Sequence, residues 1–164
     1  MDGATFIALA LACAPAIHPQ TARALVAVES DFNPWAIGVV GGELVRQPRH
    51  RREAEATARA LHAAGRNFSV GLGQINVHNF ERLGLTLEKA FKPCANLAAM
   101  QAVLCDCFER ARAIRHATHQ TALRRALSCY YSGDFTTGLR HGYVHKVVAF
   151  AFRFPPSVQP KEKT

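Results

Sequence analysis

The sequence predicts an all-α fold in one domain. Apolar residues recur at steps of three and four in successive segments, which is the spacing of a single helix face. Glycine and proline separate these segments, and no pair of alternating segments indicates a strand pair. A chain of 164 residues with 49% apolar content can bury a sizeable core.

The first predicted helix spans residues 4–13, which are small and apolar. The same residues are similar to the apolar part of a short signal segment. No basic residue precedes them and Asp2 is acidic, so the composition favours a core helix. No run in the chain approaches the roughly 20 apolar residues of a membrane span.

The second predicted helix spans residues 21–31 and carries Glu29 near its end, because Pro34 cannot continue a helix. Glu29 shares a face with Leu25 and Val26, and that apolar face is the one a helix buries. Burial, the helix C-terminus and the Asp31 carboxylate would each raise the pKa of Glu29. A carboxyl that stays protonated near neutral pH can serve as a general acid. The alternative is a solvated Glu29 that pairs with an arginine.

The middle of the chain holds a predicted loop at 33–44 and a basic cluster at 46–52. The cluster opens a predicted helix that runs through Ala64 and stops at Gly65. A basic run at this position is typical of a solvated helix start, so it does not by itself indicate a binding site.

Residues 69–76 read Ser-Val-Gly-Leu-Gly-Gln-Ile-Asn. The two glycines allow a close backbone approach, and the amides of Gln74 and Asn76 suit sugar hydroxyls and acetamides. The segment lacks the third glycine of a dinucleotide fingerprint. An ordinary turn is the alternative interpretation.

The second half of the chain is again predicted to be helical. Short helices broken at Gly84 lead to a long helix at about 96–116, and a further helix follows at 121–131. The last helix has a predicted inner stripe of Tyr143, Val144, Val147, Val148, Ala151 and Phe152. Two prolines end it, and residues 155–164 are predicted to be a polar, disordered tail.

The net charge of +8 predicts an anionic partner, which is nucleic acid, an acidic membrane surface or an acidic polymer. Nucleic acid is disfavoured because most aromatic residues fall on predicted inward faces.

Five cysteines favour an oxidising compartment, and two bridges would leave one thiol over. Cys105, Cys107, His116 and His119 are spaced like loose metal ligands. However, two cysteines two residues apart point about 200° away from each other around a helix, which disfavours a shared ion. Buried thiols, or one disulfide between packed helices, are the favoured alternatives.

Four motifs in sequence order resemble the lysozyme-like lytic transglycosylases, and especially the subfamily that serves type IV secretion and conjugation systems. Residues 29–36 match the catalytic Glu-Ser motif, and residues 71–76 match the Gly-Leu-Gly-Gln-Ile-Asn motif. Residues 127–133 match the Ala-Tyr-Asn-x-Gly motif, and residues 142–147 match the closing Tyr-Val motif. The resemblance spans nearly the whole chain and implies a lysozyme-like, goose-lysozyme-type helical domain over residues 1–154.

The resemblance also implies roles for individual residues. Glu29 would be the single catalytic acid and base, and Tyr143 would hydrogen-bond it. The substrate-binding residues would be Ser30, Gln74, Ile75, Asn76, Tyr130, Tyr131 and Tyr143. Cys13 and Cys94 would form a disulfide, as in members that work in the periplasm. No cofactor and no metal are implied.

Three departures from the family pattern bear on these roles. Tyr131 stands where many relatives have asparagine, so a sugar hydrogen bond there would be absent or replaced. Asp31 stands where a small residue is common, and its charge would act on Glu29. The stretch from Val39 to Ser69 is longer than in soluble transglycosylases.

The implied activity is cleavage of the β-1,4 bond between N-acetylmuramic acid and N-acetylglucosamine in peptidoglycan, giving 1,6-anhydro ends. The implied partners are glycan strands and other type IV secretion components, with no nucleic acid and no membrane span, in the periplasm. The alternatives are a peptidoglycan hydrolase (a lysozyme) on the same fold and a wall-binding assembly factor without turnover.

Overall fold

The computed structural model describes residues 3–153, and this range is mainly helical. Its α-helices are α1 (Gly3–Cys13), α2 (Pro19–Ser30), α3 (Arg51–Ala63), α4 (Leu87–Ala90), α5 (Pro93–Arg112), α6 (His119–Ser132), α7 (Thr137–Arg140) and α8 (Tyr143–Arg153). The predicted mainly helical, all-α class is confirmed. The predicted tail at 155–164 lies outside the described residues. Within 3–153, no helix combines the length and the hydropathy that crossing a membrane requires.

A small antiparallel sheet is also present, so the expectation of no strand pair is wrong. Its strands, in spatial order, are β1 (Ile37–Val39), β2 (Phe68–Val70) and β3 (Ile75–Asn76). Ile37 pairs with Val70, and Ser69 pairs with Asn76. Strands of two or three residues are too short for an alternating pattern to stand out in the sequence. A 3-10 helix, Val77–Asn79, follows the last strand.

Helix α2 ends abruptly just after Glu29. Asp31 takes a left-handed backbone conformation, with φ of 49°, and its N–H donates to the Ala27 carbonyl. Phe32 is left-handed as well, with φ of 59°. The Phe32 ring packs edge-on against Phe6 of α1 at a centroid distance of 5.2 Å. This contact ties the turn after Glu29 to the core.

The basic cluster at 46–52 begins a solvated helix, as predicted. His50 caps α3 by accepting a hydrogen bond from the Glu53 N–H, at 3.3 Å. Arg46 lies 2.5 Å from Glu53, and Arg51 lies 2.6 Å from Glu55. These ion pairs connect the cluster to α3 itself.

The core lies where α5 packs along α6 and α2 packs against α8. Its largest fully buried side chains include Phe6, Phe68, Phe91, Leu25, Leu72, Leu97, Met100 and Leu127. The predicted inner stripe of α8 is too long, because Phe152 is 79% exposed. Helix α5 begins at Pro93 and ends at Arg112, short of the predicted end near 116.

Two disulfides cross-link the helices. The Cys13–Cys94 bridge joins α1 to α5, as the resemblance implied. The Cys107–Cys129 bridge joins α5 to α6, and Cys105 keeps a free thiol. Among the described residues, no group of three or more histidine, cysteine or acidic side chains is placed to hold a metal ion.

Candidate active site

A groove of about 600 Å³ runs between the small sheet and the α5–α6 pair, with Glu29 in its wall. Six of the eight predicted site residues line it together: Glu29, Gln74, Ile75, Asn76, Tyr130 and Tyr131. Ser30 and Tyr143 are not among the lining residues. Three of the four motifs therefore line one groove although they are far apart in sequence, and the fourth reaches it through the hydrogen bond from Tyr143 to Glu29.

Glu29 is largely buried at the end of α2, and desolvation raises the pKa of its carboxyl to about 7. Tyr143 donates a hydrogen bond to Glu29 Oε1, which lowers that pKa in opposition to burial. The pKa is raised, as expected, and burial is the cause that raises it. Asp31 is exposed, where water screens its charge.

Tyr143 opens α8, and its ring is held by a second tyrosine. Tyr131 stacks on it with a centroid distance of 4.6 Å and an interplanar angle of 23°. The Tyr131 hydroxyl lies 3.4 Å from His141 Nδ1, and the side chain remains 46% exposed. Burial raises the pKa of Tyr143 well above its usual range, and the Glu29 carboxyl adds to the shift. Tyr143 is therefore a neutral donor at any physiological pH.

The Gly-Leu-Gly-Gln segment is the loop that joins β2 to β3. Gly71 has φ of +79°, and a Cβ there would lie 2.2 Å from Asn96 Nδ2. Asn96, buried on the first turn of α5, donates to the Val70 carbonyl at 3.0 Å and accepts from the Gly73 N–H at 2.7 Å. Gly71 is required because this asparagine packs directly against its backbone.

Tyr130 ties the other side of the groove to the same loop. Its hydroxyl donates to the Gly73 carbonyl at 2.5 Å. Desolvation raises the pKa of Tyr130 well above its usual range, with the Glu29 charge as a second cause. A Cβ on Gly73 would lie 3.0 Å from this hydroxyl and 2.9 Å from Met100 Cβ. Tyr130 thus fixes the loop beside Glu29.

The two amides of the motif are largely committed to the fold. Gln74, with φ of 47°, donates to the Ala36 carbonyl at 3.1 Å and to the Gly71 carbonyl at 3.0 Å. Asn76 donates to Asn67 Oδ1 at 2.8 Å and caps the 3-10 helix that follows it. Both side chains line the groove while they brace its wall.

Ser30 lies outside the groove lining, whereas Ile75 is part of it. The Ser30 hydroxyl donates to the Val26 carbonyl within α2, at 3.2 Å. Ile75 is only 2% exposed and belongs to the core. Ser30 therefore supports the end of α2 beside Glu29, and Ile75 joins the groove wall to the core.

The sequence analysis did not single out several residues that shape the groove and its loops. Nothing in the spacing of Asn96 along the sequence indicates a buried anchor. Gln47 reaches β1 from the loop, accepting from the Ile37 N–H at 2.8 Å and donating to the Ile37 carbonyl at 2.9 Å. Arg82 and Arg110 line the groove, although neither stands in a motif.

Comparisons with known proteins agree with this geometry. The family model for the transglycosylase SLT domain matches residues 6–146. The type IV secretion system protein virB1 of Brucella abortus is 50% identical over 89% of this chain and 63% of its own length. Protein virB1 of Agrobacterium fabrum is 35% identical over 98% of this chain and 64% of its own length. The chain thus spans just under two thirds of the curated relatives it matches.

No solved structure gives a significant match to the chain. The family model covers most of the described residues, with three of the four motifs in full and the fourth as far as residue 146. On that match, with Glu29 buried in the groove and held by a tyrosine, the chain belongs to the transglycosylase SLT domain family.

Proposed function

We propose that the protein is a peptidoglycan lytic transglycosylase that cleaves the β-1,4 bond between N-acetylmuramic acid and N-acetylglucosamine. The observation that carries the proposal is the Glu29 carboxyl, which burial keeps half protonated near pH 7 and which Tyr143 orients. Its place in the wall of an open groove allows a glycan strand to reach it. Membership of the SLT family supports the reaction class.

The reaction needs one carboxyl that acts twice. Protonated Glu29 gives its proton to the glycosidic oxygen, and the bond from that oxygen to C1 of the muramic acid breaks. The 2-acetamido group stabilises the positive charge that develops at C1. The Glu29 carboxylate then takes the proton of the C6 hydroxyl, whose oxygen closes a 1,6-anhydro ring on C1. No water is consumed, and the tethered hydroxyl replaces an external nucleophile.

A second carboxylate in the groove would favour a hydrolase, because retaining and inverting glycosidases use a pair. The other acidic residue among those that line the groove is Asp106. Its carboxylate is 54% exposed and lies 3.3 Å from Arg110 Nε, in an ion pair on α5. An exposed, paired carboxylate is a poor nucleophile, so a single-carboxyl mechanism fits this site better.

The groove residues would hold the saccharide around Glu29. The exposed face of Tyr131 can pack on a sugar ring, and Tyr143 behind it keeps that ring in place. Gln74, Asn76 and Tyr130 would contact the sugar with their remaining hydrogen-bonding capacity, while Ser30 and Ile75 support the wall. In this proposal the asparagine contact of relatives is replaced by a stacking contact at Tyr131.

We further propose that the enzyme opens the wall locally for a type IV secretion or conjugation apparatus, in the periplasm. The support is the similarity to virB1 proteins, whose names place them in such a system in Brucella abortus. Two disulfides between helices suit an oxidising compartment. Glycan strands and other secretion components are the proposed partners.

The chemical proposal is tested by mass spectrometry of fragments released from purified cell wall by the wild type and by Glu29→Gln. Anhydro-muropeptides from the wild type that disappear with the variant are the expected result. Fragments with reducing ends would make the protein a hydrolase. Release of no fragments by either protein would favour a wall-binding factor.

The secretion role is tested in a cell that depends on this chain for transfer of a secreted substrate. Wild-type protein should restore transfer, and Glu29→Gln at equal abundance should not. Equal restoration by both would assign the protein a structural part in the apparatus.

A further inference from the structure

The groove carries two cations that the reaction does not use. Among its lining residues the acidic ones are Glu29 and Asp106, and the basic ones are Arg82 and Arg110. Glu29 is partly neutral near pH 7, and Asp106 is already paired. Asp106 balances one of the two arginines, so with Glu29 partly neutral the groove keeps a net positive charge, as the whole chain does.

Arg82 is anchored in a way that leaves its charge unbalanced. Its Nη2 donates to the side-chain oxygen of Asn79, which also lines the groove, at 3.2 Å. Within residues 3–153, no carboxylate lies within ion-pairing distance of this guanidinium. A guanidinium fixed by a neutral group is suited to bind an anion from outside.

Arg110 is held against the wall on the α5 side. Its Nη2 lies 2.8 Å from Cys129 Sγ, next to Tyr130, and its Nε lies 3.3 Å from the Asp106 carboxylate. The Cys107–Cys129 bridge fixes the sulfur that this arginine contacts. The side chain is still 53% exposed, so an incoming anion can reach it.

We infer that Arg82 and Arg110 bind carboxylates carried by the glycan and make the groove select acidic strands over neutral ones. The inference rests on the proposed function, since it assigns specificity to the same site. The carboxylates have two sources: the stem peptide on muramic acid, or the lactyl group once that peptide is removed. A chitin oligomer has the same backbone and neither carboxylate, so it lacks the group that both arginines recognise.

The experiment measures dissociation constants in the Glu29→Gln background, where no turnover occurs. The ligands are a peptide-bearing glycan tetrasaccharide, the same glycan with its peptides removed, and chitotetraose. Arg82→Gln and Arg110→Gln are each expected to weaken binding of the peptide-bearing glycan roughly threefold, as for exposed ion pairs, and to leave chitotetraose unchanged. Arg82→Lys should retain most of the binding, because it keeps the charge.

Arg124→Gln is the matched control, because Arg124 is exposed on α6 and does not line the groove. It makes the same charge change and should alter no dissociation constant. Loss of affinity with the peptide-bearing glycan alone identifies the stem peptide as the anion, and loss with the stripped glycan as well shows that the arginines also bind the free lactyl carboxylate. Either result supports the inference.

Equal losses for chitotetraose, or no loss for either acidic glycan, would overturn the inference, as would failure of the Glu29→Gln protein to bind any glycan. Failure of the proposed function would give a different result from failure of the inference. If arginine-dependent selection holds while wild-type protein releases no anhydro fragments, the groove selects acidic glycan without cleaving it.

Discussion

Glu29 is a carboxyl whose ionisation the surrounding fold opposes. Its pKa rises from 4.5 to about 7, which corresponds to about 3 kcal/mol against the charged form in the folded state. An active site that buries an ionisable group in this way gives up stability at neutral and alkaline pH.

Replacement of Glu29 by glutamine should therefore raise stability while it removes activity. The folded state binds the proton more tightly than the unfolded state, so the wild type loses stability as pH rises from about 4.5 to about 7. Glutamine cannot ionise, and the variant should be about 1–3 kcal/mol more stable than the wild type at pH 8 and about equal at pH 4. Urea unfolding of both proteins at the two pH values measures this. A stability difference that does not change with pH would contradict a buried Glu29 carboxyl with a raised pKa.

Through its effect on the pKa of Glu29, Tyr143 should influence the pH above which activity is lost. Wild-type turnover should decline above pH 7 or so, as Glu29 loses its proton. Tyr143→Phe removes a hydrogen bond that lowers the pKa of Glu29, so the decline should begin at higher pH, with a lower maximal rate. Rate–pH profiles on purified wall measure both effects.

Tyr131→Phe is the control for this shift, because it removes a hydroxyl near His141 and keeps the ring stacked on Tyr143. Its alkaline limb should coincide with that of the wild type. A Tyr143→Phe limb at the wild-type position would show that the hydroxyl does not act on Glu29.

The loop between β2 and β3 depends on a helix that is distant in sequence. Asn96 on α5 is 1% exposed and makes three hydrogen bonds to the backbone around that loop, with Val70, Gly73 and Ala90. Asn96→Ala leaves these groups unpaired in the interior and should cost about 3 kcal/mol. Chemical denaturation measures the loss.

Gln101→Ala, which removes one exposed hydrogen bond on the same helix, should cost under about 1 kcal/mol. Equal costs would contradict the anchoring role of Asn96.

The two disulfides should differ in what their removal affects. The Cys13–Cys94 bridge closes a separation of 81 residues and the Cys107–Cys129 bridge one of 22. In the chain-entropy model their paired serine variants lose about 4.5 and about 3 kcal/mol, respectively. Cys107 and Cys129 line the groove, so their variant should lose more activity when both proteins are folded. Thermal melts rank the two variants by loss of stability, and wall-release assays rank them by loss of activity, with Cys105→Ser as the control. The same variant ranking worst in both measurements would refute the expectation.

The elements that the sequence predicts well are those with a long apolar period. Helices α1, α2 and α3 lie within a few residues of their predicted bounds. The strands and α7 were missed because a segment of two to four residues is too short to show an apolar periodicity. The loop beside them was predicted from its two glycines. The sequence did not reveal Asn96, which makes Gly71 necessary, binds the Gly73 N–H and lies 23 residues away from Gly73.

Across the whole molecule, the sequence predicted a place in the site for residues that stand in a motif. It did not predict one for residues that come together only through the packing of distant elements. Glu29, Tyr130 and Tyr143 stand in motifs, and the structure brings them together. The Cys107–Cys129 pairing, Arg82 and Arg110 depend on how α5 meets α6 and the sheet, which no local pattern encodes. The net charge of +8 predicted an anionic partner but gave no location for its binding.

The proposed mechanism requires that the muramic acid C6 hydroxyl, and not water, attacks C1 after Glu29 protonates the leaving oxygen. Digestion of purified wall in heavy-oxygen water followed by mass spectrometry of the new sugar ends tests this directly. If the C6 hydroxyl attacks, the new muramic acid ends should be lighter than reducing ends by one water and should contain no heavy oxygen. Heavy oxygen at C1 of the released fragments would contradict it and make the protein a hydrolase.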